Sequence, residues 1–110
     1  GILVADGEPG NRITFTSSAP AGFESAGDWD GIWFHDGTSS GSILDHCTVT
    51  YGGGYSNNSG NISVVNETAG IPEISNCQIE NPAKWGIYVG NQAAPQPVSA
   101  LAERVMRAVD

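Results

Sequence analysis

The chain has 110 residues, of which 12 are acidic and 4 basic, for a formal net charge of −8; 15 are glycine and only 15% are charged. A length of this order accommodates one domain with one modest core, and the low-charge, glycine-rich profile is that of an all-β scaffold rather than a charged helical protein. So few cations exclude nucleic acid, whose binding runs on phosphate neutralisation by Lys and Arg, and disfavour anionic membranes; no apolar run approaches the roughly 20 residues of a membrane span.

In chain order, the first predicted strand lies in "GILVAD", residues 1–6. An apolar start of this kind reads as a mature, trimmed or truncated product. Ile13 and Phe15 follow with strand alternation, then the glycine-rich loop 18–27. Residues 31–36, "GIWFHD", repeat the pattern of 1–6 at an offset of 30. The same pattern returns at 61–66, "NISVVN", and at 86–91, "GIYVGN". A second register runs beside it: "LDHCTV" at 44–49 matches "ISNCQI" at 74–79, again at an offset of 30. Turn-rich stretches and the loops 18–27, 51–60 and 81–84 separate these segments. After residue 92 a linker leads to "SALAERVMRAV", residues 99–109, where helical spacing takes over. Ser99 is its N-cap, Leu101, Val105, Ala108 and Val109 form one apolar stripe, and Glu103 and Arg107 are an i,i+4 pair.

Self-similarity at a fixed period means repeating units that cannot bury their apolar faces alone and therefore stack. Each unit holds about three short strands, and equivalent residues lie about 4.8 Å apart, as in any parallel ladder. On this reading Ile2, Ile32, Ile62 and Ile87 form one inward column, and Val4, Phe34, Val64 and Val89 a second. Cys47 stacks on Cys77 and Val49 on Ile79. Trp33, Ser63 and Tyr88 share an outward column with Leu3 below them, followed by a column of His35 and Val65.

"ITFTSSAP", "DWDGIWF", "SILDHCTVTYGG", "PEISNCQIEN" and "WGIYV" resemble segments of the right-handed parallel β-helix repeat proteins, the pectate-lyase-like superfamily. The resemblance covers roughly residues 1–92. It implies an all-β, right-handed parallel β-helix of about four coils, with residues 93–110 supplying a linker and a short C-terminal amphipathic helix that caps the last coil. It also implies an extracellular or cell-surface setting. In such proteins His46 over Asn76 fits a corner position that often holds an asparagine ladder.

Several residues carry two readings. Asp6, Asp36, Asn66 and Asn91 form one column at a turn. They satisfy turn backbone groups as a structural ladder, or Asp6 and Asp36 hold a Ca²⁺ that relieves their mutual repulsion. His46 as a metal ligand is the weaker alternative to its corner role. Cys47 and Cys77 are stacked buried thiols or a disulfide; two Cys and two distant His make a poor zinc set. Trp33, His35, Ser63 and Tyr88 line an outer strand face that can take a sugar ring, or pack under a loop or a second subunit. Trp29 and Trp85 read as corner packing. Sequons start at Asn57, Asn61 and Asn66 and matter only in a eukaryotic secretory pathway.

No catalytic set emerges. A lyase mechanism needs a Ca²⁺-binding carboxylate group with a nearby Arg or Lys base, and neither Arg12 nor Lys84 has a visible partner arrangement. The paired aspartates with "GHG" of polygalacturonases and the "DPHE" of alginate epimerases are missing from the sequence. Asp28 or Asp30 with Asp36 is the only local carboxylate pairing. The expectation is a non-catalytic scaffold or binding module, carbohydrate-associated or serving assembly or adhesion, with no cofactor. The alternative is a small or truncated polysaccharide-active enzyme. A homo-oligomer through the open N-terminal coil is expected, because Ile2 and Val4 then belong to an uncovered strand edge.

Overall fold

The computed structural model describes residues 2–35, 41–65 and 72–90. Nine strands run in chain order: β1 (Val4–Asp6), β2 (Ile13–Phe15), β3 (Ile32–His35), β4 (Ile43–Asp45), β5 (Cys47–Thr50), β6 (Gly60–Val65), β7 (Glu73–Ser75), β8 (Gln78–Glu80) and β9 (Trp85–Gly90). They form three sheets of three strands, ordered β1-β4-β7, β2-β5-β8 and β3-β6-β9, and every pairing is parallel. The chain therefore visits the first, second and third sheets in turn, and does so three times. The protein is all-β, with no helix among the described residues; the predicted helix at 99–109 lies outside them.

β4, β5, β7 and β8 each end at a corner, and these corners have a backbone signature. His46 and Asn76, both at φ 53°, turn the chain from the first sheet into the second; Tyr51 at φ 65° and Asn81 at φ 49° stand just beyond the second-sheet strands. A left-handed residue redirects the strand in one step. Asn tolerates that conformation best, His tolerates it moderately, and Tyr is held there by its surroundings. His46 donates its backbone N–H to Ser75 O at 3.3 Å, and Tyr51 to Glu80 O at 3.4 Å, so successive corners rest on one another.

Inward columns make the core. Ala5, Leu44 and Ile74 stack in the first sheet. In the second, Ile13 pairs with Cys47 and Phe15 with Val49, and the register carries on to Cys77 and Ile79. In the third, Ile32, Ile62 and Ile87 stack, as do Phe34 and Val64; Val89 continues that register at the outermost strand but is 43% exposed, not the core residue that was expected. The middle layer is sealed: Leu44, Cys47, Val49, Ile62 and Val64 are all 0% exposed. Each such aliphatic side chain stabilises by about 1.5–3 kcal/mol through burial.

The first segment departs from the sequence expectation. Val4 pairs with Ile43 and Asp6 with Asp45, so residues 4–6 belong to the first sheet and not to the column of Ile32 and Phe34. Ile2 and Val4 are exposed, and Ala5 is the residue that points inward. Leu3 is half-buried against the core and donates its N–H to Ser42 Oγ at 3.1 Å; it does not lie below Trp33. The described strands make three layers rather than about four. The reason is physical: Ile-x-Val-x-Asp is the alternation of any half-buried strand, so it does not say which sheet a strand joins or which phase faces in.

The register makes a sharp demand at position 62. Ile62→Asp places a carboxylate between Ile32 and Ile87 with no partner, and the variant is expected to lack a cooperative melting transition by circular dichroism. Trp33→Ala, on the opposite face of the same sheet, is expected to melt cooperatively. An Ile62→Asp protein that melts like the parent would contradict the register.

Candidate functional site

The outer face of the third sheet carries most of the sequence-predicted ligand residues. β3, β6 and β9 place Trp33, Ser63 and Tyr88 in one row and His35, Val65 and Gly90 in the next. Neighbours within a row are about 4.8 Å apart from strand to strand, so Trp33 and Tyr88 are two ladder steps apart, about 10 Å. The four residues do not share one role. Ser63 is 0% exposed, and its Oγ accepts the Gly60 N–H at 2.9 Å, so it fixes the start of its own strand beneath the surface. His35 is exposed at the end of β3.

Trp33 is half-buried. Its Nε1 donates to Asp30 O at 3.0 Å, and its ring meets Tyr55 edge-on, with centroids 5.5 Å apart and planes at 82°. That T-shaped contact joins the third sheet to the 51–60 loop, whose Tyr55 is itself 69% exposed. Tyr88 is also half-buried. A Cβ placed on Gly90 would come within 2.8 Å of its Cε2 and 3.0 Å of its hydroxyl. The Tyr88 ring thus reclines along its own strand over Gly90, in space that any other residue at position 90 would claim.

Of the proposed ladder of Asp6, Asp36, Asn66 and Asn91, only Asp6 lies among the described residues. Asp6 sits opposite Asp45 in the first sheet, away from the strand that leads to position 36. Asp36, Asn66 and Asn91 lie outside the described residues. Among the described residues no group of three or more His, Cys, Asp or Glu gathers to hold a metal ion. His46 and Asn76 do occupy matching corners, with His46 Nδ1 3.1 Å from Asp45 Oδ1 but off the hydrogen-bonding direction.

The carboxylates with defined partners are structural. Asp28 Oδ2 accepts the Ser17 hydroxyl at 2.6 Å and the Ser25 N–H at 3.0 Å, which closes the 18–27 loop on its base. The Ser17 hydroxyl, then the Ser25 amide, hold the Asp28 carboxyl below its ordinary pKa. Asp45 Oδ1 accepts from Asn76 Nδ2 at 2.9 Å and Ser75 Oγ at 3.3 Å. Its pKa is also lowered, first by Asn76, against a smaller opposing push from burial and with help from His46. A general acid needs the reverse shift, a carboxyl that keeps its proton near neutrality.

Cys47 and Cys77 are free buried thiols in adjacent layers. Burial first, then the neighbouring Cys77, push the Cys47 thiol up to about 11; burial also raises Cys77. Both stay protonated, and each donates weakly to backbone carbonyls, Cys47 to Ala5 O at 3.4 Å and Cys77 to Ser75 O at 3.2 Å. They act as small core residues, not nucleophiles. Trp29 packs on the core and donates Nε1 to Thr50 O at 2.8 Å, and Trp85 donates to Asn57 O at 2.8 Å, as corner residues do.

Two residues whose bridging role sequence reasoning did not foresee hold the layers together. Arg12 Nη2 donates to Cys47 O and to Asn76 O, both at 2.8 Å, and its Nε to Thr48 Oγ1 at 3.3 Å. Asn61, 0% exposed, accepts the Gly52 N–H and donates Nδ2 to Val49 O at 3.2 Å and Glu80 O at 2.9 Å. Its place at a Gly/Asn position of the repeat was the available signal: Gly31 and Gly86 stand at the same position in the adjoining layers, where no side chain bridges. An amide committed in this way has no room for a glycan at the Asn61 sequon.

A comparison with protein-family models found no match, and neither the curated proteins nor the solved structures contain a match to this chain.

Asn61→Ala removes the side chain that accepts the Gly52 N–H and donates to Val49 O and Glu80 O, and chemical denaturation is expected to show a loss of more than about 3 kcal/mol. A loss under about 1 kcal/mol would mean that the bridge carries little.

Asp28 generates a pH dependence. Its folded pKa lies below the unfolded value, so its stabilising effect is complete above the unfolded pKa, about 3.9, and fades as pH falls through the folded pKa. Limited proteolysis is therefore expected to cut the 18–27 loop faster below about pH 4. In Asp28→Asn the cutting should be faster already at neutral pH and lose its acid step.

Proposed function

We propose that this chain is a right-handed parallel β-helix that acts as a non-catalytic binding scaffold, presenting the outer face of its third sheet to carbohydrate at a cell surface or outside the cell. Three parallel sheets visited in rotation support the helix: one continuous chain meets them in the order first, second, third, three times over. The reading of function rests above all on Tyr88, whose ring lies along its strand in the space left by Gly90 and two ladder steps from Trp33. Aromatic rings fixed on a flat strand face are platforms for the C–H faces of sugar rings. The lowered carboxyls of Asp28 and Asp45, each tied to its own loop or corner, favour binding over glycosidic acid catalysis.

Retention on immobilised glycans, measured together with product release, tests this reading. Trp33→Ala with Tyr88→Ala is expected to abolish retention while leaving the melting curve in place. Product release from a uronic-acid polymer, with or without Ca²⁺, that Asp36→Asn abolishes would overturn the non-catalytic reading.

The same scaffold is proposed to pair with a second copy through the edge formed by β1, β2 and β3. Ile13, Phe15 and Ile32 there are only half-buried, whereas their middle-layer counterparts Cys47, Val49 and Ile62 are sealed. Sedimentation equilibrium at micromolar concentration is expected to give at least twice the mass of the chain. A single monomeric species would refute the pairing.

A further inference from the structure

We infer that the third-sheet face selects an uncharged glycan and rejects acidic ones, an inference that rests on the carbohydrate-binding reading above and adds the chemical class of the ligand.

Charge is the first argument. A polyuronate needs cations to meet its carboxylates, and the chain has four, Arg12, Lys84, Arg104 and Arg107. Arg12 is committed to the corner between the first and second sheets, where Cys47 O, Asn76 O and Thr48 Oγ1 take its donors. Among the described residues Lys84 is the other cation, and it precedes β9. Over the whole chain four basic residues face 12 acidic ones, a net charge of −8 whose field repels a polyanion. Asp30, exposed at the entry to β3, adds a carboxylate on the approach to Trp33.

The second argument is the chemistry of the platform. The Trp33 indole N–H, the donor that could have met a carboxylate, is already given to Asp30 O at 3.0 Å. The Ser63 hydroxyl between the two aromatics is buried and accepts from Gly60. Within this row the two aromatic side chains remain, Trp33 braced by Tyr55 and Tyr88 reclining over Gly90, with His35 exposed in the next row. The face of an aromatic ring is electron-rich; it attracts C–H groups and repels carboxylate. The row of Trp33, Ser63 and Tyr88 crosses the strands, so an extended chain lying along the stack would set one sugar ring on each aromatic, with a spacing of about 10 Å between contacts.

Gly90 is the positioning residue. Its φ is not in the left-handed region, so alanine fits its backbone, but the new Cβ would meet Tyr88 at 2.8–3.1 Å and the ring end must move. Gly90→Ala therefore changes the orientation of one ring while leaving the ladder in place.

The test is affinity electrophoresis of the whole chain against three soluble probes: an uncharged β-linked glucan, polygalacturonate with and without Ca²⁺, and a glucosamine polymer. The uncharged glucan is expected to retard the protein to the same degree at low and high salt. Tyr88→Ala and Gly90→Ala should each weaken that retardation by about tenfold, with unchanged melting, and Lys84→Gln should leave it alone. Salt-sensitive retardation by polygalacturonate that Lys84→Gln abolishes, or retardation by the glucosamine polymer alone, would overturn the uncharged class while keeping a carbohydrate-binding face. Retardation by none of the three would overturn both this inference and the carbohydrate reading beneath it.

Discussion

Everything in this structure depends on vertical register. A strand three residues long has too little edge to hold itself, and each sheet is only three strands wide. Stability comes from setting every inward side chain on an inward side chain of the next layer, in three sheets at once. Slipping one strand by one residue would turn Leu44 or Val49 out to solvent and bring Asp45 or Thr48 in. The middle layer, sealed at Leu44, Cys47, Val49, Ile62 and Val64, is the direct expression of that constraint.

Parallel stacking satisfies the backbone along the strands and leaves the corners unsatisfied. At a left-handed corner the peptide planes rotate out of the ladder, and buried carbonyls there need other donors. Arg12 supplies them where the first sheet passes into the second, and Asn61 where the second passes into the third. Both reach into neighbouring layers, so the same side chains that satisfy the corners also lock the layers in register. The outer aromatic face of the third sheet inherits its spacing from this arrangement: Trp33 and Tyr88 are held apart by a strand whose own Ser63 is buried.

Much of this was legible in the sequence. The offset of 30 between residues 44–49 and 74–79 gave the stacking of Leu44 on Ile74 and Cys47 on Cys77, and Ile32, Ile62 and Ile87 share a column as their spacing implied. The left-handed corner at Asn76 has the residue that conformation favours. What was not legible depends on the third dimension. Residues 1–6 match the repeat in alternation but enter another sheet, with Ala5 inward where Ile2 and Val4 were expected. Alternation told that Ser63 faces away from the core; it could not tell that Ser63 is nonetheless fully buried. Arg12 has no local pattern, because its partners are 35–64 residues away, and the repeat marked the position of Asn61 but not the carbonyls it reaches. The Tyr88 platform is visible only once Gly90 is known to stand beneath the ring.

Cross-strand nuclear Overhauser contacts test the register most directly, since they report which backbone protons of adjacent parallel strands approach one another. The account predicts contacts linking Ala5 to Leu44 and Leu44 to Ile74, together with contacts from Ile32 to Ile62 and from Ile62 to Ile87. Contacts from Val4 to Phe34, with none between Ala5 and Leu44, would contradict it.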